Sequence, residues 1–70
     1  MTTTTAMDVR QHLDLLREER RLALQSHLAD DPAYMADLAD EIRTCQAAWI
    51  GAVVTEVASL RGQLSGHQVG

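Results

Sequence analysis

The stretch ADDPAY, residues 29–34, decides the fold of this chain. The residue before a proline avoids the α-helical region, whereas proline itself is favoured at the first position of a helix. Asp31 is therefore predicted to cap a new helix that begins at Pro32. Pro32 is the only proline among 70 residues, so we expect a single turn, at residues 30–31, between two helices.

The chain before this turn has the pattern of one helix over residues 6–29. Thr5 is a suitable N-cap, because Asp8 follows three residues later as in a capping box. Residues 1–5 are then expected to form a flexible N-terminal arm. One stripe of the helix recurs in steps of four and three, formed by Val9, Leu13, Leu16, Arg20, Ala23 and His27.

The chain after the turn predicts a second, longer helix over residues 32–64, followed by a C-terminal tail at residues 65–70. Its stripe begins with Met35, Leu38, Ile42, Cys45, Trp49 and Ala52, and continues with Val53, Val57, Leu60 and Leu64. We therefore predict an all-α fold, an antiparallel two-helix hairpin (residues 6–64) that assembles into a helical bundle. At 1.5 Å per residue the second helix should overhang the first by roughly nine residues.

The second helix carries more apolar surface than a hairpin can bury. In QAAWIGAVVT, residues 46–55, apolar side chains also occupy the side opposite the stripe that faces the first helix. A helix that is apolar all round is buried all round, so another chain is needed. We expect that chain to be a further copy of this protein, or a different protein. The predicted interface consists of Leu15, Leu22, Ala47, Trp49, Ile50, Val53, Val54, Val57, Leu60 and Leu64.

Composition narrows the classes of partner. The formal net charge of −4 argues against nucleic acid or an anionic membrane as the main partner. No apolar run approaches the ~20 residues of a membrane span. No basic segment followed by an apolar stretch begins the chain, so no secretory signal is predicted.

The sequence predicts neither an enzyme nor a cofactor or metal protein. It lacks a glycine-rich phosphate loop and the GxSxG and HExxH motifs. Cys45 and the three histidines do not have zinc-ligand spacing, and one cysteine cannot form an internal disulfide. Asp37 and Glu41, four residues apart, fit a solvated helix face, and Cys45 fits a packed core thiol.

One arginine-rich segment, LLREERRLAL at residues 15–24, allows two interpretations. The favoured one pairs Arg20 with carboxylates near Asp40 and Glu41, which fixes the register of the hairpin. The alternative is a small dimeric regulator that binds RNA or DNA through Arg17, Arg20 and Arg21.

Two resemblances add to this interpretation. The layout of a helix, an Asp-rich turn and a second helix with ADLADEIRTC early in it resembles the Rop-type RNA-binding hairpins, which dimerise into four-helix bundles. The lysine-free, Ala-rich style, with EVASLRGQLSG leading to a terminal QVG, is similar to short uncharacterised proteins of actinobacterial phages. Since no secretory signal is predicted, we expect a cytoplasmic protein of a bacterial host cell; the phage resemblance implies a part of a phage particle as the alternative. The predicted function is association with protein, either as self-assembly or as a component or accessory of a larger assembly.

Overall fold

Two helices and a short connection make up the fold. The computed structural model describes the backbone of residues 4–66 and the side chains of residues 4–64. Helix α1 spans Ala6–Leu24, a 3-10 turn spans His27–Asp30, and helix α2 spans Pro32–Gly66. The predicted all-α hairpin with a longer second helix is confirmed, whereas its assembly into a bundle stays a prediction. The predicted arm and tail lie largely outside the described residues, and α2 runs two residues beyond the predicted end at residue 64.

Both predicted helix starts are built from side-chain caps. The Asp8 amide donates to Thr5 Oγ1 (3.2 Å), and the Thr5 amide donates to Asp8 Oδ2 (3.1 Å). The Tyr34 amide donates to Asp31 Oδ1 at 3.1 Å. Each cap satisfies amides that the first turn of a helix leaves without a partner.

Helix α1 ends at Leu24, five residues before the predicted end at residue 29, because Ser26 offers the backbone local alternatives. Its hydroxyl donates to the Ala23 carbonyl (3.0 Å) and accepts from the Leu28 amide (3.1 Å). Ser26 itself is extended, with φ −128° and ψ 177°. Such short-range serine hydrogen bonds compete with helix continuation, and a 3-10 turn follows.

The core is a single small cluster between the two helices. Leu13 is fully buried and packs with Leu16, Leu38 and Cys45. Val9, Tyr34 and Ile42 close its edges. The apolar stripes predicted for the middle of both helices therefore do face each other.

Two members of the predicted α1 stripe, Arg20 and His27, are exposed. His27 lies in the 3-10 turn, so it no longer shares a face with the helix. The Tyr34 hydroxyl donates to Glu19 Oε2 at 2.6 Å, which places Arg20 level with the first turn of α2. Asp40 lies nearly two turns further along α2, too far for the predicted ion pair.

The two helices differ greatly in length. At 1.5 Å per residue, the 19 residues of α1 span about 28 Å and the 35 residues of α2 about 52 Å. Much of the second half of α2 therefore extends past α1. Even so, no helix within residues 4–66 is long and apolar enough to cross a membrane.

Candidate interaction surface

The second half of α2 presents an uncovered apolar surface. Val57 is 45% exposed, Leu60 55% and Leu64 59%, although all three are strongly apolar. Ile50 and Val54 are exposed to a similar degree, and Val53 is half-buried. We call this group the distal surface, and it consists of Ile50, Val53, Val54, Val57, Leu60 and Leu64.

The start of α1 sets the limit of what the hairpin covers. Glu56 Oε1 accepts a hydrogen bond from the Ala6 amide at 3.5 Å, joining α2 to the first residue of α1. A carboxylate at this place is favourable because the N-terminus of a helix carries partial positive charge. Helix α2 continues for ten residues past Glu56, about 15 Å at the helical rise, with no part of α1 beside it.

Trp49 lies within the part of α2 that α1 covers. The Arg10 guanidinium carbon lies 5.2 Å from the centre of the Trp49 ring, a cation–π contact with α1. Trp49 is half-buried, so α1 covers part of the surface of this residue, which was predicted to contact another chain.

The predicted interface does not form one continuous surface. Leu15 and Leu22 line a groove of about 450 Å³ near the turn, together with Leu28 and Tyr34. Ala47 is exposed on α2 and, by helical spacing, faces away from α1. Only the α2 members of the predicted set lie together.

The groove near the turn also holds one polar contact. Because the Tyr34 hydroxyl donates to the Glu19 carboxylate, the pKa of Tyr34 is raised above its ordinary value. Sequence reasoning did not anticipate this contact, since it depends on the path of the connection between the helices.

A third groove, of about 550 Å³, runs along one flank of the hairpin and collects several polar side chains. Asp8 and His12 of α1 line it with Asp40 and Glu41 of α2, above the buried Cys45. Among the described residues no three His, Cys, Asp or Glu side chains are placed to hold a metal ion. The Cys45 thiol donates to the Val9 carbonyl at 3.6 Å, a contact between helices within the core.

The arginine-rich segment is only partly neutralised. Arg21 Nε donates to Glu18 Oε2 at 3.0 Å, which lowers the pKa of Glu18 and raises that of Arg21. Arg17 and Arg20 are exposed, and neither forms an ion pair with any residue of the described chain. Two of the three predicted nucleic-acid contacts thus point into solvent.

The distal surface is not flat. Val53, Val54 and Val57 line a shallow groove of about 280 Å³ together with Ala58 and Arg61. Its walls are apolar except for the Arg61 side chain at one end. Comparison with protein-family models, with curated proteins and with solved structures gives no match for this chain.

Proposed function

We propose that this chain is a non-enzymatic helical hairpin that acts through protein–protein association, with the distal surface as its binding site. One observation carries the proposal: a row of large apolar side chains lies on a helix whose own hairpin partner ends at Glu56. Contiguous apolar surface of this kind marks an interaction site on a small protein.

The expected strength of this association follows from the exposed area. Full burial of a Val, Leu or Ile side chain contributes about 1.5–3 kcal/mol. Because these side chains are already about half covered, each would contribute roughly 1 kcal/mol on binding. Six such contributions are comparable to the lower estimates, about 4 kcal/mol, for the cost of association. The association should therefore depend strongly on concentration and on each side chain.

A charged substitution in the distal surface tests the proposal. Ile50→Asp and Val54→Asp each place a carboxylate where a partner must exclude water, at a cost of several kcal/mol. Ala36→Asp, on an exposed part of α2 beside α1, is the matched control. We expect light scattering across a concentration series to show association by the wild type and the control only. If the wild type associates and both distal variants keep its mass and thermal stability, the distal surface is not the binding site.

The setting of this association is part of the same proposal. The lysine-free, Ala-rich sequence supports a small component or accessory of a phage assembly, acting in the bacterial cytoplasm or in the particle. An apolar site at one end of a rod-like hairpin suits such a role, since it leaves the outer face of α1 available for further contacts.

A second candidate function is a regulator that binds RNA or DNA through α1. It is favoured by the exposure of Arg17 and Arg20, which the hairpin does not use for internal ion pairs among its described residues. Binding would be salt-dependent and weakened by Arg17→Ala and Arg20→Ala, with Arg43→Ala as the control. Absence of binding to RNA and duplex DNA at low salt would exclude it.

A further inference from the structure

The distal surface has the spacing of a coiled-coil seam. Starting from Ile50, its apolar residues recur in steps of three, four, three and four, at Val53, Val57, Leu60 and Leu64. This 3.5-residue repeat is what two helices need to keep one seam in contact. The same spacing extended backward reaches Gln46 and Arg43, which are polar. The seam therefore begins at Ile50 and runs for about 21 Å along α2.

The charges that flank the seam are also ordered. Between Thr44 and Leu64 the only charged residues are Glu56 and Arg61, five positions apart. In heptad notation with Val57 at an a position, Glu56 occupies a g position and Arg61 the following e position. Charged residues at g and e form interhelical ion pairs that set partner and orientation in coiled coils.

We propose that the occupant of the distal surface is a second copy of this chain, with the two α2 helices parallel and in register. Glu56 of each copy then pairs with Arg61 of the other. This inference rests on the proposed function and specifies its partner. The β-branched residues Ile50 and Val57 at a positions, combined with Leu60 at a d position, favour two strands rather than three or four.

The orientation follows from which flanks meet. In a parallel pair the g flank of one helix lies against the e flank of the other, so each Glu56 reaches an Arg61 and each Trp49 lies beside a Val54. In an antiparallel pair g meets g and e meets e. Glu56 would then face Trp49, Glu56 or Gln63 of the other copy, and Arg61 would face Val54 or Arg61. Only the parallel arrangement matches charge with opposite charge and apolar with apolar.

The hairpin leaves room for this partner. Helix α1 contacts α2 through Cys45, Trp49 and Glu56, whereas the seam residues lie to one side of that contact, and all of them except the half-buried Val53 are exposed. The Glu56 carboxylate uses Oε1 to cap α1, and a carboxylate has further lone pairs to accept from a guanidinium. The second copy can therefore bind without displacing α1.

The seam covers only two heptads, which is short for an independent coiled coil. Short isolated helices are marginal because nucleation of a helix is costly. Here α2 is already helical over all of Pro32–Gly66 and anchored by the core with α1. The second copy has only to cover the seam, so two heptads are enough for a concentration-dependent dimer.

A charge-exchange experiment tests the pairing. Glu56→Arg alone places Arg against Arg twice in a parallel homodimer, and Arg61→Glu alone places Glu against Glu twice. We expect each variant to dimerise about tenfold more weakly than the wild type, from two exposed pairs changed to repulsion. When the two variants are mixed, both pairs are restored in the heterodimer. Native mass spectrometry, with one variant isotope-labelled, should show the heterodimer in excess over either homodimer.

Orientation is tested separately by a crosslink. Leu64→Cys in a Cys45→Ala background places two thiols across the seam in the parallel dimer, and oxidised glutathione should convert most of it to a disulfide-linked dimer. In the same background Val53→Cys places a thiol at a d position of the seam, eleven residues earlier, and should form the same crosslink in the parallel dimer. Statistical mixing of the charge variants, together with no crosslink at either position, would overturn the proposal of a parallel second copy.

These results separate the inference from the proposed function. If Ile50→Asp abolishes association while the charge variants mix statistically and neither cysteine position crosslinks, the distal surface binds a partner, but not in the parallel arrangement. A wild type that stays monomeric at every concentration overturns the second copy as occupant. Association that survives Ile50→Asp and Val54→Asp instead removes the proposed function, and the inference falls with it.

Discussion

The two halves of α2 are both rich in apolar residues, but the large apolar side chains of the first half are buried or half-buried and most of those of the second half are exposed. In the first half, Leu38 is 3% exposed and Cys45 7%, because α1 lies against them. In the second half, Val57 and Leu60 are about half exposed. The side chains are of the same kind, but Val57 and Leu60 lie past the residue that contacts the start of α1, and to one side of the face that α1 covers. Burial in so small a protein is thus decided by what lies opposite a residue, more than by the residue itself.

Truncation of one leucine in each half gives the largest expected contrast. Leu38→Ala removes a fully packed side chain and should lower the free energy of unfolding by about 2–5 kcal/mol. Leu60→Ala at low protein concentration should change it by less than about 0.5 kcal/mol, as for other exposed positions. Urea unfolding followed by far-ultraviolet circular dichroism measures both. Equal losses would mean that the second half of α2 is packed within the monomer.

Loss of the caps should have a smaller effect, confined to the covered half. Thr5→Ala removes the capping box of α1 and Asp31→Ala removes the cap of α2, each lowering the free energy of unfolding by about 1 kcal/mol. Thr5→Ser and Asp31→Asn retain a capping oxygen and should be close to the wild type. If Thr5→Ala proved neutral, the contact between Glu56 and the Ala6 amide would be sufficient to hold the start of α1.

A glycine at the boundary between the halves offers a gain of stability. A Cβ added at Gly51 meets nothing within 4 Å, so Gly51→Ala should raise the free energy of unfolding by about 0.5–1 kcal/mol through helix propensity. Gly51 lies on the side of α2 away from the coiled-coil seam, and association should be unchanged. Weaker association by this variant would show that a partner helix approaches α2 on the Gly51 side.

The smallest expected effect is a titration shift near the turn. Hydrogen bonding to Glu19 raises the pKa of Tyr34 above the ordinary 10.0, and Glu19→Gln should return it towards that value. Since the folded-state pKa is raised, the contact stabilises the fold below the unfolded pKa and is lost as pH rises through the folded one. Tyr34 is the only tyrosine, so its ultraviolet absorbance reports the titration directly. An unchanged midpoint would show that Tyr34 and Glu19 do not interact in solution.

The sequence predicted those features that depend on neighbouring residues. The break at Asp31 and Pro32 follows from covalent geometry, and the cap at Thr5 from side chains within one turn. The greater length of α2 relative to α1 could also be predicted, because the spacing of apolar residues indicates the length of each helix. For this reason the sequence predicts that Val57, Leu60 and Leu64 of α2 extend past α1.

What the sequence did not predict depends on the path of the connection. Ser26 was a readable signal for an early helix end, because serine often closes a turn onto its own backbone. Once α1 ends at Leu24, the register shifts and Arg20 no longer meets Asp40. The same shift brings Tyr34 to Glu19 and separates Leu15 and Leu22 from the rest of the predicted interface. Apart from Ser26, no local pattern indicates the path of the connection.

The buried Cys45 thiol, which contacts the Val9 carbonyl of α1, can report how often the two helices separate. The thiol is almost fully enclosed, so a thiol reagent can reach it only when α1 lifts from α2. Under conditions where closing is faster than modification, the observed rate equals the intrinsic thiol rate multiplied by the fraction of molecules open. Because Cys45 is the only cysteine, this rate reports the opening of the covered half without any label. If this modification rate falls as protein concentration rises, association through the distal surface also stabilises the contact between α1 and α2.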